Sequence, residues 1–353
     1  MTRTLMINGH PRLDRDRTTM RAMQFDGGGS GLHMIERAIP EPGPDEILIE
    51  VAACGVCRTD LHILDRDIEG KIPIVPGHEI VGKVIETGED VSRFSLGDRV
   101  GVPWLGSTCG QCRYCMTHME NLCDDPGFTG FTVDGGYATH AVARADYCIA
   151  LPPGLDDAHA APLLCAGLIG YRAFSLTNDA HRIGLYGFGA SAHIIAQLAT
   201  GLGCEIAAFT KPGDVKGQGF ALSLGCIWAG GSDEAAPFEL DAAIIFAPVG
   251  SLVPTALAAI RKGGTVVCAG IHMSDIPAFP YALIWGERQV RSVANLTRAD
   301  GESFFAAVGE IKVEAQVERF ALEDANVALD RLRRGDIVGA AVLIMQTDQE
   351  RGE

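Results

Sequence analysis

Residues 182–209 read RIGLYGFGASAHIIAQLATGLGCEIAAF. An apolar run, RIGLYGF, is consistent with a buried strand, and the helical pattern ASAHIIAQLATGLG follows it and closes on glycine. A second apolar run, CEIAAF, comes next. Between strand and helix lies Gly187-Phe188-Gly189-Ala190-Ser191-Ala192, of the form G-x-G-x-x-A. Gly187 allows a tight turn, Gly189 lets backbone approach a pyrophosphate, and Ala192 permits close helix–strand packing. The helix N-terminus supplies N–H donors for a phosphate. The pattern alone is weak, but here it sits after a strand and opens a helix, the context it requires. The alternative is a glycine-rich turn in a flavodoxin-like sheet with no nucleotide.

Outward from this unit, DAAIIFA, SLVPTALAAIRKGG and TVVCAGI keep alternating strand and helix patterns. That alternation predicts a doubly wound parallel sheet, an α/β fold, between about residues 171 and 300. From Met20 to about residue 170 the pattern is different. EILIEVAACGV, EIVGKVIETG, GDRVGVPW and YATHAVARADYCIAL are β-like runs separated by turn signals such as PEPGPDE and ETGED. This part is predicted to be mainly β, with residues 301–353 returning to it and ending in the apolar run GAAVLIM.

Within the β part, Cys109, Cys112, Cys115 and Cys123 follow C-x2-C-x2-C-x7-C. Four thiolates at tight local spacing suit tetrahedral Zn²⁺, and a closed set of four is a structural site. A disulfide cluster would instead fit a small secreted domain. This chain has 353 residues, and its first twenty carry arginines and aspartates around no apolar core. They do not form a secretory signal, and residues 1–19 are expected to be a mobile extension. No run approaches the length of a membrane span. Eleven cysteines without an export signal fit a reducing compartment, hence the cytoplasm. A net charge of −16 argues against nucleic acid or an anionic membrane as partner.

Three further residues complete a second constellation: Cys57 in CGVCRTDLH, His78 in PGHE and Cys165 in PLLCAG. Two thiolates and one imidazole leave a fourth position open, the arrangement of a catalytic zinc. Singly, each has an ordinary reading as a small buried thiol or a structural histidine. At the end of the strand CEIAAF, where an acidic residue would bond the ribose 2′-hydroxyl of NAD, the chain has Thr210 and Lys211. Asp214 is displaced beyond KPG, so the cofactor expectation is NAD(P) with a lean to NADP.

Taken in order, GVCRTDLH, PGHEIVGKV, the four-cysteine loop, DGGYATHAV, PLLCAG and GFGASA resemble the zinc-containing medium-chain alcohol dehydrogenases from about Met20 to the C-terminus. The resemblance implies a GroES-like catalytic domain and a Rossmann domain, with two zinc ions per chain. It implies that Cys57, His78 and Cys165 bind the catalytic ion, with Glu79 as a transient or supporting ligand. Asp60 would accept the other ring N–H of His78. Thr59 would hold the substrate hydroxyl, and His62 would pass its proton to solvent through the cofactor ribose. Arg58 would touch the pyrophosphate, Ala269, Gly270 and Ile271 would lie beside the nicotinamide, and Trp104 would line the substrate pocket.

The function so implied is reversible hydride transfer between alcohols and aldehydes or ketones. Trp104 and the apolar Leu61, Ile63 and Leu64 favour primary, medium-chain or benzylic substrates, although such residues are as often plain core. Within the class the rival is an NADPH-dependent aldehyde reductase of the cinnamyl-alcohol type. Outside it, the rival is a non-catalytic nucleotide-binding relative. A homodimer or homotetramer is the expected assembly, with QVRSVANL resembling the family's pairing edge strand.

Overall fold

The computed structural model describes residues 4–7, 10–13, 18–29 and 31–345, the first two segments by backbone alone. The chain divides into two compact units. One runs from the N-terminal strands to Cys165 and adds Thr297–Phe305 and the chain from Ala315 onward. The other comprises Ala166–Leu296 and Ala306–Glu314. The expected boundaries lay at 170 and 300.

The first unit is built around Glu46–Val56. Its residues Ile47, Leu48 and Ile49 are wholly buried, so both faces of the strand are covered, and neighbours pair with it on both edges. Ile80–Thr87 pairs antiparallel along nearly its whole length. On the other edge, His140–Arg144 covers Glu46–Glu50 and Ala340–Ile344 covers Ala53–Val56. Burying each such aliphatic side chain contributes roughly 1.5–3 kcal/mol, which explains why the strand reads as continuous apolar sequence. The C-terminal strand pairs parallel with Val317–Ala321, so the end of the chain returns to the β unit. Two features were not legible in advance. Thr19–Gln24 and His33–Ala38 form an antiparallel hairpin. Thr4–Ile7 pairs with His10–Leu13, and Arg12 registers with Glu86. This part of the expected mobile extension is therefore strand; residues 1–3, 8–9 and 14–17 lie outside the described residues.

The second unit holds six strands in the order Trp228–Gly231, Glu205–Thr210, Arg182–Tyr186, Leu240–Ile245, Ile260–Cys268 and Gln289–Ser292. Every pairing is parallel. The strand at Arg182–Tyr186 comes first in this unit, so the order is 3-2-1-4-5-6, that of a dinucleotide-binding sheet. One boundary differs from expectation. The helix read over 251–264 ends at Ala259, and the strand starts at Ile260. Pairing of Ile260 with Leu240 claims that residue for the sheet, overriding the helical pattern. No helix among the described residues is long and apolar enough to cross a membrane.

Candidate metal centres and nucleotide cradle

Cys57 ends the extended segment from Glu46–Val56 and precedes the helix Arg58–Leu64. The Asp60 side chain reaches back to accept the Cys57 backbone N–H at 2.8 Å, one half of a capping box. The glycine-containing PGHE turn delivers His78, and a short 3-10 turn, Ala161–Leu164, delivers Cys165. Ligand atoms of Cys57, His78, Glu79 and Cys165 all lie within 4.8 Å of one another. Glu79 fits because residue 55 is glycine: a Cβ there would stand 1.7 Å from a Glu79 carboxylate oxygen.

A tetrahedral zinc with Zn–S bonds near 2.3 Å separates its sulfurs by about 3.8 Å, whereas a disulfide requires about 2.05 Å. Cys57 and Cys165 are 3.7 Å apart. In the loop, Cys109–Cys115, Cys112–Cys115, Cys112–Cys123 and Cys109–Cys123 stand at 4.0, 3.6, 4.0 and 3.5 Å. Backbone N–H groups of Cys109 and Asp125 point at the Cys123 sulfur, and that of Cys112 at Cys109. Both donor sets thus fit zinc, and all eleven thiols are free of disulfides.

The electrostatics of the buried set also call for a cation. Cys57 is held well below the ordinary thiol value, first by its hydrogen bond with Cys165 and then by His78, against the opposing effect of burial. Cys165 is pushed well above it, first by the same bond and then by burial. Burial raises Glu79 far above the carboxylate range, and the neighbouring Cys57 adds to this. For His78, burial favours the neutral ring, but Asp60 and Cys57 outweigh it and raise the value. Metal binding would release the thiol proton. In the loop, backbone N–H groups of Cys115 and Asp124 lower Cys112 to about 6, while burial lifts Cys123 to about 11.

Around the buried donors, Asp60 Oδ1 faces His78 Nδ1 across 3.7 Å. Thr59 Oγ1 lies 3.8 Å from the Cys57 sulfur, and Arg58 is exposed at the start of the helix. His62 Nδ1 meets Asp67 Oδ2 at 2.7 Å. Trp104 stands edge-on to His78 with ring centroids 5.1 Å apart, and stacks on Phe128 and Phe131 at 5.0 and 5.6 Å. Sequence reading found Trp104 but missed both phenylalanines, which lie in the FTGFT stretch after the loop. Leu61 and Ile63 are buried in the β core, and Leu64 packs against it.

In the second unit Gly187 has φ +86°, and a Cβ there would collide with the backbone of Ala247. Gly189 precedes the helix Ala190–Gly201 and would meet nothing within 4 Å, so the backbone is open to a ligand. His193 Nε2 donates to the Phe188 carbonyl at 2.9 Å, tying down the turn. Ala269, Gly270 and Ile271 leave the sheet beside it, since Tyr186 registers with Ile245 and Ile245 with Cys268. Thr210 corrects an expectation. Its hydroxyl is buried, faces the Lys211 and Gly230 carbonyls at 3.1 and 3.3 Å, and accepts from Gln218 at 3.2 Å. It therefore stabilises the strand end rather than facing a ribose. Lys211 is exposed, and Asp214 caps the helix Val215–Ser223 through Gly217 N–H.

The sequence of residues 43–153 matches the alcohol dehydrogenase GroES-like domain family. Over 323 residues, covering 89% of this chain and 93% of the relative, it is 45% identical to "Probable alcohol dehydrogenase AdhA" of Mycobacterium tuberculosis. The chain belongs to the zinc-dependent medium-chain alcohol dehydrogenases. Among solved structures, this alcohol dehydrogenase resembles a cinnamyl alcohol dehydrogenase from Sorghum bicolor at 27% identity and TM-score 0.81, covering 93% of this chain and 100% of that one. It also resembles a thermostable alcohol dehydrogenase from Pyrobaculum aerophilum, solved with cobalt and zinc bound, at 26% identity and TM-score 0.80, with 93% and 100% covered. As an alcohol dehydrogenase it is an oxidoreductase that interconverts alcohols and aldehydes with a nicotinamide cofactor.

Proposed function

We propose that this alcohol dehydrogenase acts on primary alcohols with an aromatic or extended apolar group, using Cys57, His78 and Cys165 as ligands of a catalytic zinc. Cys109, Cys112, Cys115 and Cys123 hold a second, structural ion. The observation that carries the reading is the His78 ring with Trp104 at its edge and Phe128 and Phe131 stacked behind. An aromatic wall of this kind takes a benzylic or cinnamyl group by stacking and offers no partner to the extra hydroxyls of a polyol.

Zinc, when bound, supplies a Lewis acid that favours loss of the alcohol proton near neutral pH, and the nicotinamide accepts the hydride. The chain's own residues do the rest. Thr59 receives the substrate hydroxyl beside Cys57. His62 takes its proton outward, oriented by Asp67. Asp60 keeps the His78 ring from turning, and Trp104 excludes water from the ring's face. Glu79, whose carboxylate oxygen lies within 4.8 Å of the other donor atoms, is a spare donor set close to the ion. Gly187 and Gly189 would cradle the pyrophosphate, with Ala269, Gly270 and Ile271 beside the nicotinamide.

Lys211 is the group that favours NADP, now without help from Thr210. The free state of all eleven thiols supports a reducing compartment such as the cytoplasm. Gln289–Ser292 ends the six-stranded sheet, which supports pairing into a dimer or tetramer. Initial rates on benzylic, cinnamyl, short-chain and polyol alcohols, each with NAD⁺ and NADP⁺, test the reading on protein assayed for zinc. Benzylic alcohols should lead, and Lys211→Asp should shift preference toward NAD⁺ by at least about tenfold. Faster turnover of polyols than of benzyl alcohol would overturn the substrate assignment.

A further inference from the structure

The DGGYATHAV stretch contributes no metal ligand and no cofactor contact, yet it lies against the catalytic donors. The Tyr137 side chain has no exposed surface. Its hydroxyl stands 3.1 Å from Asp60 Oδ2, the same oxygen that accepts the Cys57 N–H at 2.8 Å. Asp60 Oδ1, on the other side of the carboxylate, faces His78 Nδ1 at 3.7 Å, and neither of these two buried atoms has a hydrogen-bond partner. One carboxylate thus touches the backbone of one ligand and the ring of another, and a phenol fixes its rotation.

The surroundings are shaped to hold that phenol. Residues 135–137 are laced to the turn before His78 by Gly135 N–H to Val75 O, Gly136 N–H to Gly77 O and Tyr137 N–H to Pro76 O, at 2.7, 2.8 and 2.9 Å. Gly77 has φ +97°, and a Cβ there would stand 2.3 Å from the Tyr137 ring. The glycine that precedes ligand His78 therefore gives the tyrosine its place.

We propose that the Tyr137 hydroxyl is a positioning group for the catalytic metal: it locks the Asp60 carboxylate, and through it the ring of His78 and the backbone of Cys57. The proposal rests on the assignment of those two residues as zinc ligands. Groups that bond a metal ligand directly, as Asp60 would, typically alter affinity by about 10–100-fold, and Tyr137, one step further out, belongs at the lower end of that range.

The test is Tyr137→Phe, which keeps the ring against Gly77 and removes only the hydroxyl. Zinc affinity at each site is read by chelator competition, ligand geometry by the visible absorption of Co²⁺-substituted protein, and folding by the thermal midpoint of the metal-free chain. The expected result is about tenfold weaker zinc at the catalytic site, an altered cobalt spectrum, and no change at the cysteine loop. Combined with Asp60→Asn, the loss should not add, because both variants act through one carboxylate. Wild-type affinity and spectrum in Tyr137→Phe, or full additivity with Asp60→Asn, would overturn the proposal while leaving the ligand assignment standing. A wild-type chain that holds metal only at the cysteine loop would overturn both. If Tyr137→Phe fails to fold, the same readouts on Asp60→Asn decide: unchanged catalytic-site affinity there overturns the route.

Discussion

Cys57 serves three neighbours at once: it precedes a helix, donates its N–H to Asp60 and sets its sulfur 3.7 Å from that of Cys165. Replacing it by alanine keeps the N–H and the helix, so Cys57→Ala should fold with a thermal midpoint within a few degrees of wild type while turnover falls to background. Turnover surviving in zinc-depleted Cys57→Ala protein would refute the ligand set. Asp67 offers a milder change. It meets the His62 ring at 2.7 Å and donates its own N–H to the His62 carbonyl at 3.0 Å. The turn is pinned by Arg333, which reaches both oxygens of Asp65 at 2.5 and 2.8 Å. Asp67→Ala should lower kcat for alcohol oxidation about tenfold, below the range for losing a proton-transfer group outright, with KM unchanged. An unaltered kcat would remove Asp67 from the proton route. The four loop cysteines stood out by their tight spacing, whereas Cys57, His78 and Cys165 were legible as a set only through the order of the motifs that carry them. Tyr137 was not, because its partner Asp60 lies 77 positions away and nothing local marks a tyrosine that points at a carboxylate.

Among the elements, those with a strong period were readable. Glu46–Val56 and the parallel strands follow from apolar runs between turn residues. The end of Leu252–Ala259 was not, since tertiary pairing decides where LAAIRKGG changes from helix to strand. The cysteine loop is the opposite case, with abundant chemistry and little regular structure. Its ordered parts are the 3-10 turns Cys115–Thr117 and Glu120–Leu122, and Met116, Met119 and Leu122 are exposed. With so little apolar burial of its own, the loop would draw its order from the ion proposed for its four thiols. Cys112→Ala should lower the thermal midpoint by roughly 5–10 °C, a loss on the order of 3 kcal/mol for a domain of this size, before activity is affected. An unchanged midpoint would mean that the loop holds no structural ion.

Glu120 anchors the loop to the helix Arg298–Glu310 by accepting the Arg298 N–H at 2.9 Å. Burial alone would raise the pKa of its carboxyl, but the Arg298 N–H and guanidinium outweigh this and lower it. A lowered folded-state value means that its contribution is full above the unfolded pKa, near 4.3, and fades as pH falls through the folded one. Thermal midpoints of wild type and Glu120→Gln should therefore differ at neutral pH and converge in acid, as pH falls through the lowered folded-state value. A constant gap would assign the difference to packing alone.

At the scale of the whole molecule, the apolar GAAVLIM run announced a strand, but its destination was beyond local reading. Ala340–Ile344 registers Ala341 with Val56, Val342 with Gly55, Leu343 with Cys54 and Ile344 with Ala53. These are the residues immediately before Cys57. A chain ending at Gly339 should accumulate as aggregate, because it exposes the apolar Ala53–Val56 edge. Soluble truncated protein with full zinc content would show that this strand is dispensable. The pairing also has a meaning in time. Ile344 is made 288 residues after Val56, about 15–60 s later at ordinary rates of synthesis. The segment that leads into Cys57 thus leaves the ribosome long before the strand that pairs with it. For that whole interval the Ala53–Val56 edge beside Cys57 has no partner in the nascent chain.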